Sequence, residues 1–459
     1  MNEAFKTVIG LEIHTQLKTN SKMFCSCSND AQDAQPNTTV CPVCLGMPGT
    51  LPVTNVKALE LVAKIGLALG SKIAEVSWFD RKHYFYPDLP KGYQISQYQN
   101  PFCIGGSIKI GDKTVRFNRV HLEEDAGKLV HPAGGAVSYV DLNRAGTPLA
   151  EIVSEPDIES PAQAKEFLKE LRELLRSIEV SDADMEKGHL RCDANISVVR
   201  TQDSGLRSSP IIEIKNLNSF KFVEKALAIE EKRLRADFDN WPEKQTKVTR
   251  GFNSTTGETY SLREKEEAKD YRYFPEPDIP PIELAKIVDL ERLKIEVNRL
   301  PQQILQEFID LGLDELLSRQ IISDKELLPM IELLKEKMDL NAKFIKTLVN
   351  EKSARSLTTD QLVDLASLTT GETPSNLIRQ IIIEANETGK LPSEISVDQG
   401  DSSKIIEKVL SDNPDAVEKY KSGKKEIVGF LIGQVMREMA GKANPNEIRE
   451  LLIKEIEVI

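Results

Sequence analysis

The sequence predicts an α+β protein in which a region of β-sheet precedes a region of helices. Polar and apolar residues alternate with period two in several segments before Asp278, as strands require. From Ile295 onward the apolar residues recur at helical spacing, and aromatic residues are few. Pro280 and Pro281 separate the two regions, because proline interrupts both kinds of element. At 459 residues the chain is expected to form about three domains.

Composition and charge narrow the class of protein. Apolar residues make up 40% and charged residues 29% of the chain, as in ordinary globular proteins. No apolar run approaches membrane-spanning length, and the N-terminus lacks the order of a signal peptide. We therefore expect a cytoplasmic protein that does not associate with membranes. The net charge of −12 argues against indiscriminate nucleic-acid binding, although a local basic groove remains compatible with it.

The first predicted element is a strand over residues 7–17. Its polar and apolar side chains alternate and therefore lie on opposite faces. Glu12 and His14 share the polar face, where both could reach a metal ion or a phosphate-bearing ligand. A Glu–His pair on a hydrated sheet face is the alternative interpretation.

Four cysteines follow in two close pairs, Cys25-Ser-Cys27 and Cys41-Pro-Val-Cys44, with thirteen residues between the pairs. This spacing is typical of a zinc knuckle, and free thiols are the alternative. Because all four ligands would come from the protein, no coordination position would stay open, so we expect a structural zinc site.

A helix is predicted over residues 54–70, and a segment rich in aromatic, basic and amide side chains extends from Phe79 to Gln97. Aromatic rings stack on bases and lysines bind phosphates, so this segment suits recognition of a nucleotide or an RNA end. Lys82 and Lys91 are the candidates for phosphate. Aromatic residues at this density also occur in ordinary cores.

The stretch from His121 to Asp157 contains acidic residues within two strand-like patterns. Buried carboxylates that lie close together repel one another unless a cation lies between them. A divalent cation shared by Glu123, Glu124 and Glu151 would reconcile them, and oxygen ligands suit magnesium. Adjacent strand residues face opposite ways, so the sequence leaves open which of Glu123 and Glu124 faces the site. Solvated acids at the edge of a sheet are the alternative.

Two later strands, at residues 190–198 and 212–219, again carry charged side chains on one face. The recurrence favours a functional sheet face that binds a ligand. The candidate ligand-binding residues in this part are Glu186, Arg191, Asp193, Asn195 and Lys215.

With these motifs the chain resembles the B-subunit family of the tRNA-dependent aspartyl/glutamyl amidotransferases, the GatCAB complexes. The resemblance covers nearly the whole chain. The matching stretches are residues 8–14, 81–97, 121–128, 141–157, 185–197, 215–220 and 270–278.

The resemblance implies a mixed or antiparallel-sheet cradle domain over residues 1–294, an all-α helical domain over 295–402 and a small helical tail domain that binds tRNA over 403–459. It implies a ligase that uses ATP to phosphorylate the side-chain carboxylate of Glu-tRNA(Gln) or Asp-tRNA(Asn), after which ammonia replaces the phosphate. Glu12, His14, Glu124 and Glu151 would hold the magnesium ion, with Glu123 as the substitute for Glu124. Lys82, Lys91 and the five later candidates would bind the cofactor.

The resemblance also implies partners. The sequence contains no recognisable glutaminase nucleophile, so an amidase-type A subunit would supply the ammonia, and a small C subunit would hold A and B together. Misacylated tRNA(Gln) or tRNA(Asn) would be the substrate. Two alternatives stay open: a non-catalytic, zinc-bearing RNA-binding scaffold, and a free-standing ATP-dependent ligase for a small carboxylate.

In the second half of the chain, the sequence predicts helices and one hinge. Acidic and basic residues from Lys424 to Ile459 are equal in number, so tRNA contact there would depend on arrangement. A hinge is predicted at residues 397–403. The predicted helices are residues 302–311, 324–337, 341–350, 359–369, 375–388, 405–419 and 426–440, with a last helix ending at Ile459.

Overall fold

The computed structural model describes residues 5–132, 137–201, 207–241, 247–262, 271–297, 299–324, 326–369, 373, 375–392, 402–439 and 445–458. Two compact units, Met1–Pro301 and Gln302–Ile459, divide the chain. Within the described ranges, no helix combines the length and the apolarity needed to cross a membrane.

All strands of the described chain lie in the first unit. In chain order they are β1 (Phe5–Gln16), β2 (Lys72–Ile73), β3 (Asp80–His83), β4 (Tyr93–Ser96), β5 (Cys103–Ile104), β6 (Ser107–Ile110), β7 (Lys113–Glu124), β8 (Lys128–Val130), β9 (Tyr139–Asp141), β10 (Pro148–Ser154), β11 (Leu190–Arg200), β12 (Ile212–Leu217), β13 (Val248–Asn253), β14 (Glu258–Ser261) and β15 (Phe274–Pro275).

A ten-stranded sheet dominates this unit, in the order β14-β13-β12-β11-β1-β10-β7-β5-β2, with β6 paired to β7. The pairs from β12 to β7 are antiparallel, whereas β12 and β13 run parallel, so the sheet is mixed. Smaller sheets consist of β15-β3-β4 and β8-β9. The predicted α+β class is confirmed.

Helices pack against the apolar face of the large sheet. Ile9, Leu11 and Ile13 on β1 belong to the same buried cluster as the apolar side chains of the first three helices. Asn55 caps the first helix by accepting hydrogen bonds from the amides of Lys57 and Ala58. The helices of this unit are α1 (Val56–Ala68), α2 (Pro161–Ser177), α3 (Phe220–Ala236), α4 (Leu284–Ile287) and α5 (Leu290–Glu296).

The second unit is helical and contains two separate apolar clusters, one between Ile304 and Ala385 and one between Ile406 and Ile456. Its helices are α6 (Pro301–Asp310), α7 (Glu315–Ser323), α8 (Leu327–Lys337), α9 (Ala342–Asn350), α10 (Thr359–Leu368), α11 (Ser375–Thr388), α12 (Ser402–Asp412), α13 (Pro414–Lys421), α14 (Val428–Glu438) and α15 (Pro445–Val458).

The prediction of one helix over residues 405–419 was wrong. The chain forms α12 and α13 there, and Asn413 separates them. Pro414 occupies the first turn of α13, where its missing N–H costs nothing, but it cannot continue α12 because its ring would clash with the preceding turn. The predicted hinge falls mainly on residues 397–401, which lie outside the described residues, and Ser402 and Ser403 already belong to α12.

A buried ion pair joins strand β3 to the segment after β15. The Arg81 guanidinium donates to both carboxylate oxygens of Glu276 at 2.8 Å and to Asp278 at 3.0 Å. Replacing Arg81 by Met would leave the Glu276 carboxylate, only 3% exposed, without its cation. We expect the free energy of unfolding to fall by about 3 kcal/mol, measured by denaturant titration of the first unit. Lys57→Met, which removes an exposed pair with Glu60, should cost less than ~1 kcal/mol; equal losses would contradict the prediction.

Candidate active site

Strand register brings the candidate residues into rows on the polar face of the large sheet. His14 on β1 lies opposite Glu151 on β10, and Glu151 lies opposite His121 on β7. On the other side of β1, His14 lies opposite Arg191. Paired residues of neighbouring strands point to the same face, so these four side chains form one row across the sheet.

The side chains of this row converge with Glu12 and Glu123. The Nε2 atom of His14 lies 3.4 Å from Glu123 Oε1, 3.5 Å from Glu151 Oε2 and 3.8 Å from Glu12 Oε1. One ligand atom each from Glu12, His14 and Glu151 lies within 4.8 Å of the others, and the same is true of His121, Glu123 and Glu151. Glu151 belongs to both sets and is therefore the centre of the cluster.

The structure separates the two adjacent acids of β7. Glu123 shares its face with His121 and accepts a hydrogen bond from Ser96 Oγ at 3.0 Å. Glu124 points away from the cluster: its Oε1 atom is bound by Lys91 Nζ and by the backbone N–H of Ile95 at 3.0 Å. Of the two alternatives that the sequence left open, Glu123 is therefore the one that faces Glu151 and His14.

Electrostatic coupling keeps the central carboxylate ionised. Burial raises the pKa of Glu151, but the neighbouring His121 and His14 outweigh burial and hold this pKa well below its ordinary value. Burial lowers the pKa of His14, yet its hydrogen bond to Glu151 and the surrounding carboxylates raise it to about 9. Burial and the charge of Glu151 raise the pKa of Glu12. The anionic carboxylate oxygens of the cluster suit a divalent cation, and His14 would bind such a cation only after losing its proton.

His121 was not among the predicted site residues, although it is 2% exposed and touches the cluster. Its Nδ1 atom accepts a hydrogen bond from Arg119 Nε at 3.3 Å, so its Nε2 atom carries the proton and faces Glu151 Oε2 at 3.2 Å. This arrangement orients the Glu151 carboxylate. The signal in the sequence was that Glu123 is the second residue after His121, which places both side chains on one face of a strand.

A second charged group lies beside the cluster. Arg191 Nη2 donates to Asp125 Oδ2 at 2.6 Å, and Arg144 Nε lies 3.5 Å from the same oxygen. Asp193 accepts a hydrogen bond from Lys215 Nζ. Asp125 and Arg144 were also missed by sequence reasoning, because their partners are distant in the chain.

These residues surround a cavity of about 1640 Å³. Glu12, His14 and Glu123 line it together with five of the predicted ligand-binding residues: Lys82, Glu186, Arg191, Asp193 and Lys215. The rings of Tyr84, Phe85, Tyr86 and Tyr271 line it as well. Burial lowers the pKa of Lys82, but Glu123 and the other nearby acids raise it above its ordinary value, so Lys82 stays cationic.

Two predicted ligand-binding residues lie elsewhere. Lys91 lines a small neighbouring cavity of about 110 Å³, next to Cys25 and Cys44. Asn195 lies on β11 opposite Gly10, and its Oδ1 atom is buried without a hydrogen-bond partner among the described residues.

The cysteines form a second candidate metal site. The Sγ atoms of Cys25, Cys27, Cys41 and Cys44 all lie within 4.8 Å of one another. Hydrogen bonds from Cys25 and from the backbone, together with the nearby Lys22 ammonium, lower the pKa of Cys44 to about 4 despite its burial. The cluster could bind a metal ion.

Comparison with known proteins assigns the chain to a family. A model described as the GatB/GatE catalytic domain matches residues 7–288, and one described as the GatB domain matches residues 357–456. The chain belongs to the GatB/GatE family.

Curated relatives of this GatB/GatE chain extend over its full length. The proteins from Thermotoga maritima, Persephonella marina and Thermodesulfovibrio yellowstonii are 45%, 44% and 45% identical to it, over 99%, 98% and 98% of this chain and 99%, 98% and 99% of their own. Each of the three is named as the B subunit of an aspartyl/glutamyl-tRNA(Asn/Gln) amidotransferase. In the GatB/GatE chain, the match over 7–288 contains the whole cluster around Glu151.

Proposed function

We propose that this chain is the B subunit of a tRNA-dependent amidotransferase, which converts Glu-tRNA(Gln) and/or Asp-tRNA(Asn) into Gln-tRNA(Gln) and Asn-tRNA(Asn). The observation that carries the proposal is the cluster of Glu12, His14, Glu123 and Glu151, of which the first three line the cavity, in a chain of this family. A scaffold that binds RNA without catalysis has no need for several buried carboxylates on one sheet face, which are costly to desolvate.

The proposed chemistry has two balanced steps. An oxygen of the substrate's side-chain carboxylate bonds to the γ-phosphorus of ATP while the bond from that phosphorus to ADP breaks. The nitrogen of ammonia then bonds to the carboxyl carbon of the acyl phosphate, the bond from that carbon to the phosphate oxygen breaks, and one proton passes from the nitrogen to the departing phosphate. The product is the side-chain amide on the tRNA.

Glu12, His14, Glu123 and Glu151 would hold magnesium. Ligand atoms of Glu12, His14 and Glu151 lie within 4.8 Å of one another, and Glu123 Oε1 lies 3.4 Å from His14 Nε2. When bound, magnesium neutralises charge on the transferring phosphoryl group. His121 orients Glu151 through the contact at 3.2 Å. Glu124, assigned to the metal from the sequence, instead binds Lys91 and would hold that lysine in place.

The basic side chains of the cavity would bind the phosphates of ATP. Lys82 stays cationic beside the acids, and Arg191 and Lys215 are already oriented by Asp125 and Asp193. Asp193 and Glu186, which are also at the cavity, would bind hydroxyl groups or a second cation. Lys91 and Asn195 do not line the cavity and would act through their neighbours.

Ammonia would come from a partner, because none of the six cysteines suits glutamine hydrolysis. Four of them form the metal-site candidate. Burial raises the pKa of Cys103 to about 12 and raises that of Cys192 well above its ordinary value, so neither forms the thiolate that such chemistry needs. An amidase-type A subunit would supply ammonia, with a small C subunit holding the complex together.

A reconstitution experiment tests the proposal. The chain is assembled with the A and C subunits, and ATP hydrolysis and amidated tRNA are measured with and without misacylated tRNA. We expect hydrolysis that depends on misacylated tRNA. Tight tRNA binding without any tRNA-dependent hydrolysis would instead favour the scaffold, and hydrolysis stimulated by a small free carboxylate would favour the free-standing ligase.

Zinc is the metal that we propose for the cysteine cluster, since four thiolates in this spacing form a closed tetrahedral site. Metal analysis of protein prepared without chelators should find about one zinc ion per chain. Cys41→Ser should lower both the zinc content and the melting temperature, because binding of the metal contributes to folding. Ser26→Ala, between the first two cysteines, is the matched control and should change neither. Unchanged protein that contains no zinc, or a Cys41→Ser variant that melts at the temperature of the unchanged protein, would contradict the prediction.

A further inference from the structure

The segment that carries the cysteines, residues 25–47, contacts the end of β9 and the loop that follows it at the edge of the cavity, residues 140–147. We call them the cysteine segment and the cavity loop. Asn37 makes three of the contacts. Its backbone N–H donates to Asp141 Oδ1 at 3.2 Å, its Nδ2 donates to the Val140 carbonyl at 2.9 Å, and its Oδ1 accepts from the Leu142 N–H at 2.8 Å.

A reciprocal contact comes from the cavity loop. Asn143 Oδ1 accepts from the Thr39 N–H at 2.9 Å, and Asn143 Nδ2 donates to the Gln35 carbonyl at 2.7 Å. Asn143 is only 3% exposed, so these bonds are shielded from competing water. The cysteine segment therefore holds the loop through directional bonds at several points.

Lys22 links the cysteines to the loop directly. It is 1% exposed, and its Nζ atom lies 3.8 Å from Cys44 Sγ and 3.5 Å from the Leu142 carbonyl oxygen. The neighbouring Met23 N–H donates to the Gly146 carbonyl at 2.7 Å. A buried ammonium group requires negatively charged partners, and metal-bound thiolates would supply that negative charge.

The cavity loop in turn positions charged groups at the cavity. Arg144 Nε donates to the Ala126 carbonyl at 3.0 Å and its Nη2 to the Gly127 carbonyl at 2.6 Å. The Gly146 N–H donates to the Asp125 carbonyl at 2.9 Å. Asp125 is the partner of Arg191, so the position of the loop affects two arginines at the cavity.

We infer that the cysteine segment is a positioning element for the active site as well as a folding element. Through Asn37 and its backbone bonds to Asn143 it holds the cavity loop where Arg144 meets Asp125, and Lys22 links Cys44 to the same loop. The catalytic consequence rests on the proposed function, whereas the positioning itself does not. Asn37 is a positioning residue because it lies outside the cavity lining and acts through the loop.

The test is Asn37→Gly in the full chain assembled with its partner subunits. Asn37 has φ +61°, which glycine adopts freely, so this change keeps the backbone and removes only the side-chain bonds. Loss of those two bonds should accelerate hydrogen–deuterium exchange in residues 140–147 about tenfold. The zinc content should stay at that of the unchanged protein. The kcat at saturating substrates should fall ~10-fold, since misplaced groups lower turnover more than binding.

Thr50→Ala is the matched control. Thr50 lies just after the cysteine segment, and its hydroxyl donates only to the Met47 carbonyl on the exposed surface, so exchange and kcat should not change. Removal of zinc from the unchanged protein with a chelator should accelerate exchange in residues 140–147. In the Asn37→Gly protein, the same treatment should accelerate exchange in these residues only slightly further, because the cavity loop has already lost its bonds to Asn37.

Two results would overturn the inference: unchanged exchange in residues 140–147 of the Asn37→Gly protein, or zinc removal that accelerates exchange only in residues 25–47. Altered loop exchange in a complex that hydrolyses no ATP would support the positioning and count against the proposed function. The exchange measurement thus tests the positioning of the loop independently of the proposed function.

Discussion

Glu151→Gln is expected to abolish ATP hydrolysis that depends on misacylated tRNA, with a fall in kcat of about 10²–10³-fold or more. Glutamine has the same shape but no charge. It cannot balance His14 and His121, which lie 3.5 Å and 3.2 Å from the carboxylate, and its amide nitrogen would face a donor. It would also remove an anionic ligand from the proposed magnesium site. ADP release by the assembled complex measures the effect.

Glu155→Gln is the matched control for this prediction. Glu155 follows the same strand but lies outside the cluster, where its carboxylate accepts from Asn118 Nδ2 at 2.9 Å on the exposed surface. This variant should keep normal turnover. Glutamine hydrolysis by the partner that supplies ammonia should persist in both variants. Near-normal formation of amidated tRNA by the Glu151→Gln complex would rule out the metal assignment.

Removal of residues 403–459 should raise the KM for misacylated tRNA by about tenfold or more and leave kcat nearly unchanged. Contacts made equally in the ground and transition states affect KM alone. The helices α12 to α15 have their own apolar cluster from Ile406 to Ile456, so their removal leaves the cluster between Ile304 and Ala385 intact. The truncated chain, assembled with its partners, is assayed over a range of tRNA concentrations.

The KM for ATP is the internal control for the truncation, since the cavity around Glu12 and Lys82 lies in the first unit. It should not change. Circular dichroism establishes that the remaining helices are folded. A large fall in turnover at saturating tRNA, in a folded complex, would show that the tail positions the reacting end of the tRNA, and the proposed division of labour would then be wrong.

Local periodicity predicted β1, β11, β12 and most helices of the second unit, whereas α2, α3 and α7 were not predicted. The alternation in β1 placed Ile9 and Glu12 on opposite faces, because successive strand residues point to opposite sides whatever the partner strand. Helix α11 has the predicted bounds, Ser375–Thr388. The failure over residues 405–419 was also local, since Pro414 stood in the sequence as a signal for a new helix.

By itself, the sequence determined which residue types occur on which face of each strand, the cysteine spacing and the family resemblance. Only the tertiary structure decided which of Glu123 and Glu124 faces Glu151, and that His121, Asp125 and Arg144 belong to the site. The physical reason is the sequence separation of the residues that interact. Alternation depends on neighbouring residues, whereas register depends on how β7, β10 and β1 pair across long stretches of chain, and a shift of one residue would have exchanged the two faces.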